Sequence, residues 1–206
     1  KVRLFAAEGN HGIIFKRTDL KEKNIIKATY SNVSSAKLCT TLENSFGNKV
    51  STVEHLLAAF YITGVDNVIV EIDNEEIPIM DGSSKDFVEV LNDVGFKTLH
   101  QKRKYLKVLN KVELEDNGRT ISIEPSDKDL EVNFQLNYSN DIIGKQKNLV
   151  DFSNKNLVPF LSTVVSLPRL VFIIRPTSES FLNSSTNHFK RKNRFFLSVD
   201  GVNPVN

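Results

Sequence analysis

Apolar and polar positions alternate over short runs through the first forty-three residues, and the runs are broken by turn-forming material. GIIFKR, NIIKATY and KLCTTLE are separated by AEGNHG and DLKEKN, which predicts a strand-rich opening. The period then changes. Val53, Leu56, Leu57, Phe60 and Tyr61 recur at helical spacing behind Ser51-Thr52-Val53-Glu54 and stop at Gly64, so a capping box, an amphipathic helix and a glycine terminator are expected in that order. NVIVEID follows as a strand with Val68, Val70 and Ile72 on one face, and EEIPIMDGSS is a Pro- and Gly-containing connection. A second helix is predicted from Phe87, Val90, Leu91 and Val94, capped by Ser83 or Ser84 and ended by Gly95.

The basic run HQKRK between Leu99 and Tyr105 separates this half from a new strand series, placing a domain boundary between residues 101 and 102. KVELE and RTISIE alternate on either side of Asp116-Asn117-Gly118, a strong hairpin signal. Leu130, Val132, Phe134, Leu136 and Tyr138 alternate without a break, so a third strand is expected to extend the hairpin into a meander with one buried face. After about residue 155 no period holds, prolines interrupt the apolar run, and FKRKNRFF has no evident partner element.

Composition narrows the class. The chain has 206 residues, room for one generous domain or two compact ones, and its 40% hydrophobic and 25% charged residues exclude disordered and collagen-like readings. Lys plus Arg number 27 against 25 Asp plus Glu, a net charge of +2; that balance argues against a nucleic-acid binder held by phosphate contacts. A single cysteine, Cys39, excludes an internal disulfide and a cysteine-cluster metal site. It suits a reducing compartment, so a cytoplasmic location is expected. KVRLFAAEGN shows no targeting pattern, and Leu157–Ile174 is interrupted by Pro159, Pro168 and Arg169. No transmembrane helix is predicted.

Of four histidines, only His55 falls within a strongly periodic helix. On the helical wheel His55, Ala58 and Ala59 lie opposite the apolar face, with Glu54 at its edge, as if the helix were held between a core and a cleft. Glu54 is equally accounted for as the residue three positions after the N-cap in the capping box, accepting from the Ser51 N–H and favouring the helix dipole. A lone helical histidine falls short of the three protein ligands of a catalytic zinc. Asp81-Gly82-Ser83-Ser84 reads as a tight turn with a helix cap rather than an anion cradle. No Gly-x-Ser-x-Gly elbow occurs, Cys39 sits in an alternating run where a small buried hydrophobe is the default, and the sequon at Asn183-Ser184-Ser185 matters only on a secretory route.

The block STVEHLLAAFYITGVDNVIVEIDNEEIPIMDGSSKDFV resembles the signature of the UDP-3-O-acyl-N-acetylglucosamine deacetylases, zinc amidases of bacterial lipid A synthesis. The flanks HGIIFKRTDL, NVSSAKLCTTLEN and KYLKV are similar to that family too, and the likeness runs from about Lys1 to Asp151. It implies an α+β fold of two similar sheet-plus-helices domains, of the kind seen in the second domain of ribosomal protein S5. Residues 1–101 would form the first domain, and 102–206 an incomplete second one, truncated and atypical after about 155.

The resemblance further implies Zn2+ as cofactor, His55 as one of three zinc ligands, Glu54 as the general base, and Leu38 and Cys39 as lining near the substrate entrance. Asp81, Gly82 and Ser83 would shape a turn. The substrate would be a UDP-linked, 3-O-acylated N-acetylglucosamine, losing acetate from its N-acetyl group.

The family's two other ligands, in a His-Lys-x-x-Asp segment, have no counterpart before Asn206, and its His-Ser-Gly strand has none after Lys1. LPRLVFIIRP places Leu170 where the family carries a substrate-contacting Thr, and no Gly-Gly turn follows; only DFSN and VDGVN look familiar. Loss of order and of likeness over the same stretch, about 156–197, is what a shifted reading frame or drift would produce. A missing C-terminal part is therefore expected, with a non-catalytic remnant or binding module as the alternative to the enzyme.

Overall fold

In the computed structural model the described residues are 1–104, 107–116, 118–127, 130–138, 142 and 144–151, with the backbone of 195–200. They belong to two compact units, one built on 1–104 and the other on the remainder. The atypical stretch of 156–197 lies outside the described residues except for the backbone from 195 onward.

The first unit carries seven strands and two α-helices among its described residues: β1 (Val2–Ala6), β2 (Ile13–Arg17), β3 (Ile25–Lys27), β4 (Val33–Ser35), β5 (Thr41–Glu43), β6 (Lys49–Val50), α1 (Glu54–Thr63), β7 (Val68–Ile72) and α2 (Lys85–Val94), with one 3-10 turn at Tyr30–Asn32. Four strands make one sheet in the order β1-β7-β2-β3, and three make a second, β4-β5-β6. The fold is α+β, as expected. β7 runs antiparallel to β1 and parallel to β2, and its alternation is the predicted one, with Val68, Val70 and Ile72 buried. These residues join Phe15, Ile26, Leu42, Val50, Leu56, Phe60, Ile77 and Leu91 in one hydrophobic cluster. Each fully buried side chain of this size contributes about 1.5–3 kcal/mol relative to exposure, so this cluster sets where α1 lies.

α1 forms where the period predicts, and Gly64, at φ +76°, ends it. The Gly64 N–H donates to the Tyr61 carbonyl at 3.2 Å and the Val65 N–H to the Phe60 carbonyl at 2.8 Å, the paired bonds of a left-handed helix stop. The buried arc differs from the expected one. Tyr61 is 58% exposed, whereas Glu54, His55 and Ala59 are buried with Leu56, Leu57 and Phe60. The covered face is rotated toward the small side of the helix, and Tyr61 stays largely exposed. α2 is also only partly as expected. Val88 and Leu91 are buried, but Val90 and Val94 are exposed, so helical spacing located the helix without fixing which of its apolar positions are covered.

The second unit contains β8 (Val112–Asp116), β9 (Arg119–Pro125), β10 (Leu130–Asn137), β11 (Lys145–Asp151) and β12 (Phe195–Asp200). β8 and β9 form the predicted hairpin, with Asp116 opposite Arg119 and Gly118 at φ +73° in the turn. The meander is overturned. The sheet order is β11-β10-β12-β9-β8, with β12 inserted between β9 and β10, antiparallel to the first and parallel to the second. Alternation in β10 reported its buried side, Val132 and Phe134, but a period of two carries no information about which strand lies alongside.

Candidate active site

The first turn of α1 presents Glu54 and His55, both buried, at 5% and 7% exposure. A carboxylate there faces the positive end of the helix dipole. The capping box is absent: the N-cap position is Val53 and no side chain caps the helix. Ser51 is engaged elsewhere, its N–H donating to the Glu75 carbonyl at 2.8 Å while its carbonyl accepts from the Ile77 N–H at 3.1 Å. Ser51 is thus paired laterally with the 75–77 segment, and Glu54 is released from local capping.

The Glu54 carboxylate turns instead to the connection between β4 and β5. Its Oε2 accepts the Thr40 N–H at 2.9 Å in a buried hydrogen bond, and the Val53 N–H donates back to the Thr40 carbonyl at 3.4 Å. This reciprocal pair draws the segment carrying Leu38 and Cys39 to the head of α1. Cys39 and Leu38 thus lie one and two residues before the amide that holds Glu54. Leu38 is 86% exposed. Cys39 lies in a bend rather than in a strand, half-buried, with its Sγ 3.7 Å from the Thr41 hydroxyl; the alternating run is interrupted because Thr40 commits its backbone to α1.

His55 Nδ1 is buried and has no hydrogen-bond partner among the described residues. A buried ring nitrogen is costly unless a partner beyond the described residues satisfies it, and an imidazole of this kind suits one position of a zinc shell. Among the described residues no group of three or more His, Cys, Asp or Glu is placed to hold a metal ion. Those residues alone do not complete a zinc site.

Asp81 closes the turn expected at Asp81-Gly82-Ser83-Ser84. Its Oδ1 accepts from the Ser83 N–H and the Ser83 hydroxyl at 2.8 and 2.7 Å, and the hydrogen bonds from Ser83 hold the carboxyl below its ordinary range. The Ser83 hydroxyl oxygen in turn accepts the Lys85 N–H at 3.0 Å, so this element is a turn that starts α2.

Thr40 escaped the sequence reading because its contribution is a backbone N–H, which any residue but proline supplies. No helix among the described residues is long and apolar enough to cross a membrane.

A sequence model of the family described as UDP-3-O-acyl N-acetylglycosamine deacetylase (LpxC) matches residues 1–165. Curated proteins named UDP-3-O-acyl-N-acetylglucosamine deacetylase match as well. The one from Nautilia profundicola is 35% identical over 158 residues, covering 77% of this chain and 53% of its own length. That from Shewanella frigidimarina is 38% identical over 161 residues, with 77% and 52% covered. That from Colwellia psychrerythraea is 37% identical over 164 residues, with 79% and 53% covered. The chain spans about half the length of the curated relatives it matches.

Proposed function

The chain belongs to the UDP-3-O-acyl N-acetylglycosamine deacetylase (LpxC) family, and from that premise we propose that it carries the base-bearing part of a zinc-dependent deacetylase of lipid A synthesis. The substrate is a UDP-linked, 3-O-acylated N-acetylglucosamine and the products are acetate and the free amine. Domains of similar sheet-plus-helices architecture over 1–101 and 102–206 belong to the same reading, as does a cytoplasmic location.

The observation that carries it is the buried Glu54–His55 pair at the head of α1, with Glu54 Oε2 held by the Thr40 N–H. In the reaction a water adds to the carbonyl carbon of the N-acetyl group as Glu54 takes one of its protons, and that proton is passed to the nitrogen as the C–N bond breaks, so that acetic acid, ionised in water to acetate, and the free amine leave and Glu54 is regenerated. Fixing Oε2 on an amide orients the base, and a positioned general base contributes about 10²–10⁴-fold. His55 would hold the zinc through a ring nitrogen, and zinc, when bound, would supply Lewis-acid polarisation of the amide carbonyl. Leu38 and Cys39 flank the entrance and meet the substrate without taking part in the chemistry.

A second reading, a non-catalytic remnant or binding module, is favoured by one observation: the described residues offer no set of three metal-binding groups. Zinc content of the purified chain separates the two, measured beside release of free amine from the UDP-sugar. Stoichiometric zinc and turnover, lost in Glu54→Ala and His55→Ala, support the enzyme; zinc-free protein with no turnover in any form supports the remnant.

A further inference from the structure

Four non-glycine residues among those described have positive φ: Asn10, Lys23, Thr52 and Met80. Asn10, Lys23 and Met80 are exposed, whereas Thr52 is buried to 3% exposure and is the one with a β-branched side chain. At φ +58° its branched Cβ crowds the backbone, so this conformation persists only where neighbouring contacts hold it. It lies two residues before Glu54.

The restraint is visible. Thr52 donates its hydroxyl to Glu76 Oε1 at 2.7 Å, and Ser51, just ahead of it, forms a parallel bridge with Glu76. Ile77, fully buried in the core cluster, anchors the far side of this bridge. On the near side the strained residue turns the chain directly into Val53, whose N–H meets the Thr40 carbonyl, and into Glu54, whose carboxylate meets the Thr40 N–H. The head of α1 is therefore gripped from two directions, by Thr40 on one side and by the 75–77 segment on the other.

We propose that Thr52 and Glu76 are positioning residues: their hydrogen bond holds Thr52 in the left-handed conformation and thereby sets the Glu54 carboxylate on the Thr40 amide beside His55. The inference rests on the reading of Glu54 and His55 as the working pair, but it concerns geometry and is testable without turnover. A relaxed Thr52 would rotate the entry of α1 and draw Glu54 Oε2 off its amide.

The test follows the Thr40 amide by NMR in the isotopically labelled chain, well below the melting temperature, in Thr52→Val, Thr52→Ser and Glu76→Ala. Thr52→Val and Glu76→Ala are expected to move the Thr40 resonance and to speed its hydrogen exchange by about tenfold or more; Thr52→Ser, which keeps the hydroxyl, stays close to the parent. Glu76 is exposed, so its variant remains folded and decides the matter even where Thr52→Val does not fold. A clamp that added only general stability would lower the melting temperature and leave the native Thr40 shift in place, and that result would overturn the proposal. If Glu54→Ala instead leaves zinc content and hydrolysis untouched, the functional reading fails while the Thr40 result stands.

Discussion

The Glu54 carboxylate and the Thr40 amide are joined by a buried hydrogen bond of 2.9 Å across fourteen residues of sequence. The bond links a helix to the connection of a separate three-stranded sheet, so the position of the charged group depends on tertiary packing and not on the helix alone.

Removing that acceptor leaves a buried N–H unsatisfied. Glu54→Ala is expected to lower stability by about 1–3 kcal/mol, read as a shift of the urea midpoint at unchanged slope. Glu54→Gln retains an oxygen for Thr40 and should lose less, while failing as a base. A hydrolytic defect in the glutamine variant at near-parent stability would separate chemistry from folding.

Leu38 projects into solvent at 86% exposure, so Leu38→Ser should change stability by less than about 0.5 kcal/mol. If the side chain meets the acyl part of the substrate, losing its apolar surface weakens binding by about 1–2 kcal/mol. The expected result is a raised KM for the long-acyl substrate and little change for a short-acyl one. Equal KM shifts for the two would remove Leu38 from the entrance.

Arg17 is a buried cation held by both oxygens of Asp19, at 2.8 and 2.6 Å, and donating to the Lys49 carbonyl at 2.7 Å. Hydrogen bonding to Arg17 holds the Asp19 carboxyl below its ordinary 3.8. A lowered folded value means that Asp19 contributes stability above its unfolded pKa and loses it as pH falls through the depressed folded one. Asp19→Asn should therefore flatten the acid limb of a stability-against-pH curve below about pH 4, leaving neutral and alkaline behaviour unchanged in shape.

The two helices make opposite predictions for apolar residues of similar sequence pattern. Phe60 is fully buried in the core cluster, and Phe60→Ala should cost about 3–5 kcal/mol. Val94, at 82% exposure, should tolerate alanine within about 0.5 kcal/mol. Thermal melts of the two variants check the observed burial against the periodicity.

Local chemistry was legible where partners are close in sequence. The alternation of Val68, Val70 and Ile72, the Gly64 stop and the turn from Asp116 to Arg119 all depend on neighbouring residues, and each appears as expected. The capping box failed because Ser51 found Glu75 and Ile77, partners more than twenty residues away that no local pattern signals. Glu54 and His55 were identifiable as a pair, but their surroundings were not. Thr40 acts through its backbone, and the left-handed Thr52 has a residue type that argues against that conformation, so neither carries a signature in the sequence.

β12 reaches the centre of its sheet from far along the chain. During synthesis the β8–β9 hairpin and β10 emerge well before Phe195–Asp200, so Pro125 through Thr120 on one side and Leu130 through Gln135 on the other present bare edges until β12 arrives. Such edges recruit other chains, and closing a long loop to pair strands is slow. The described sheet of the second unit is thereby completed only once residues 195–200 have emerged, with a window for self-association that the first unit, whose described sheets close within residues 1–72, does not share.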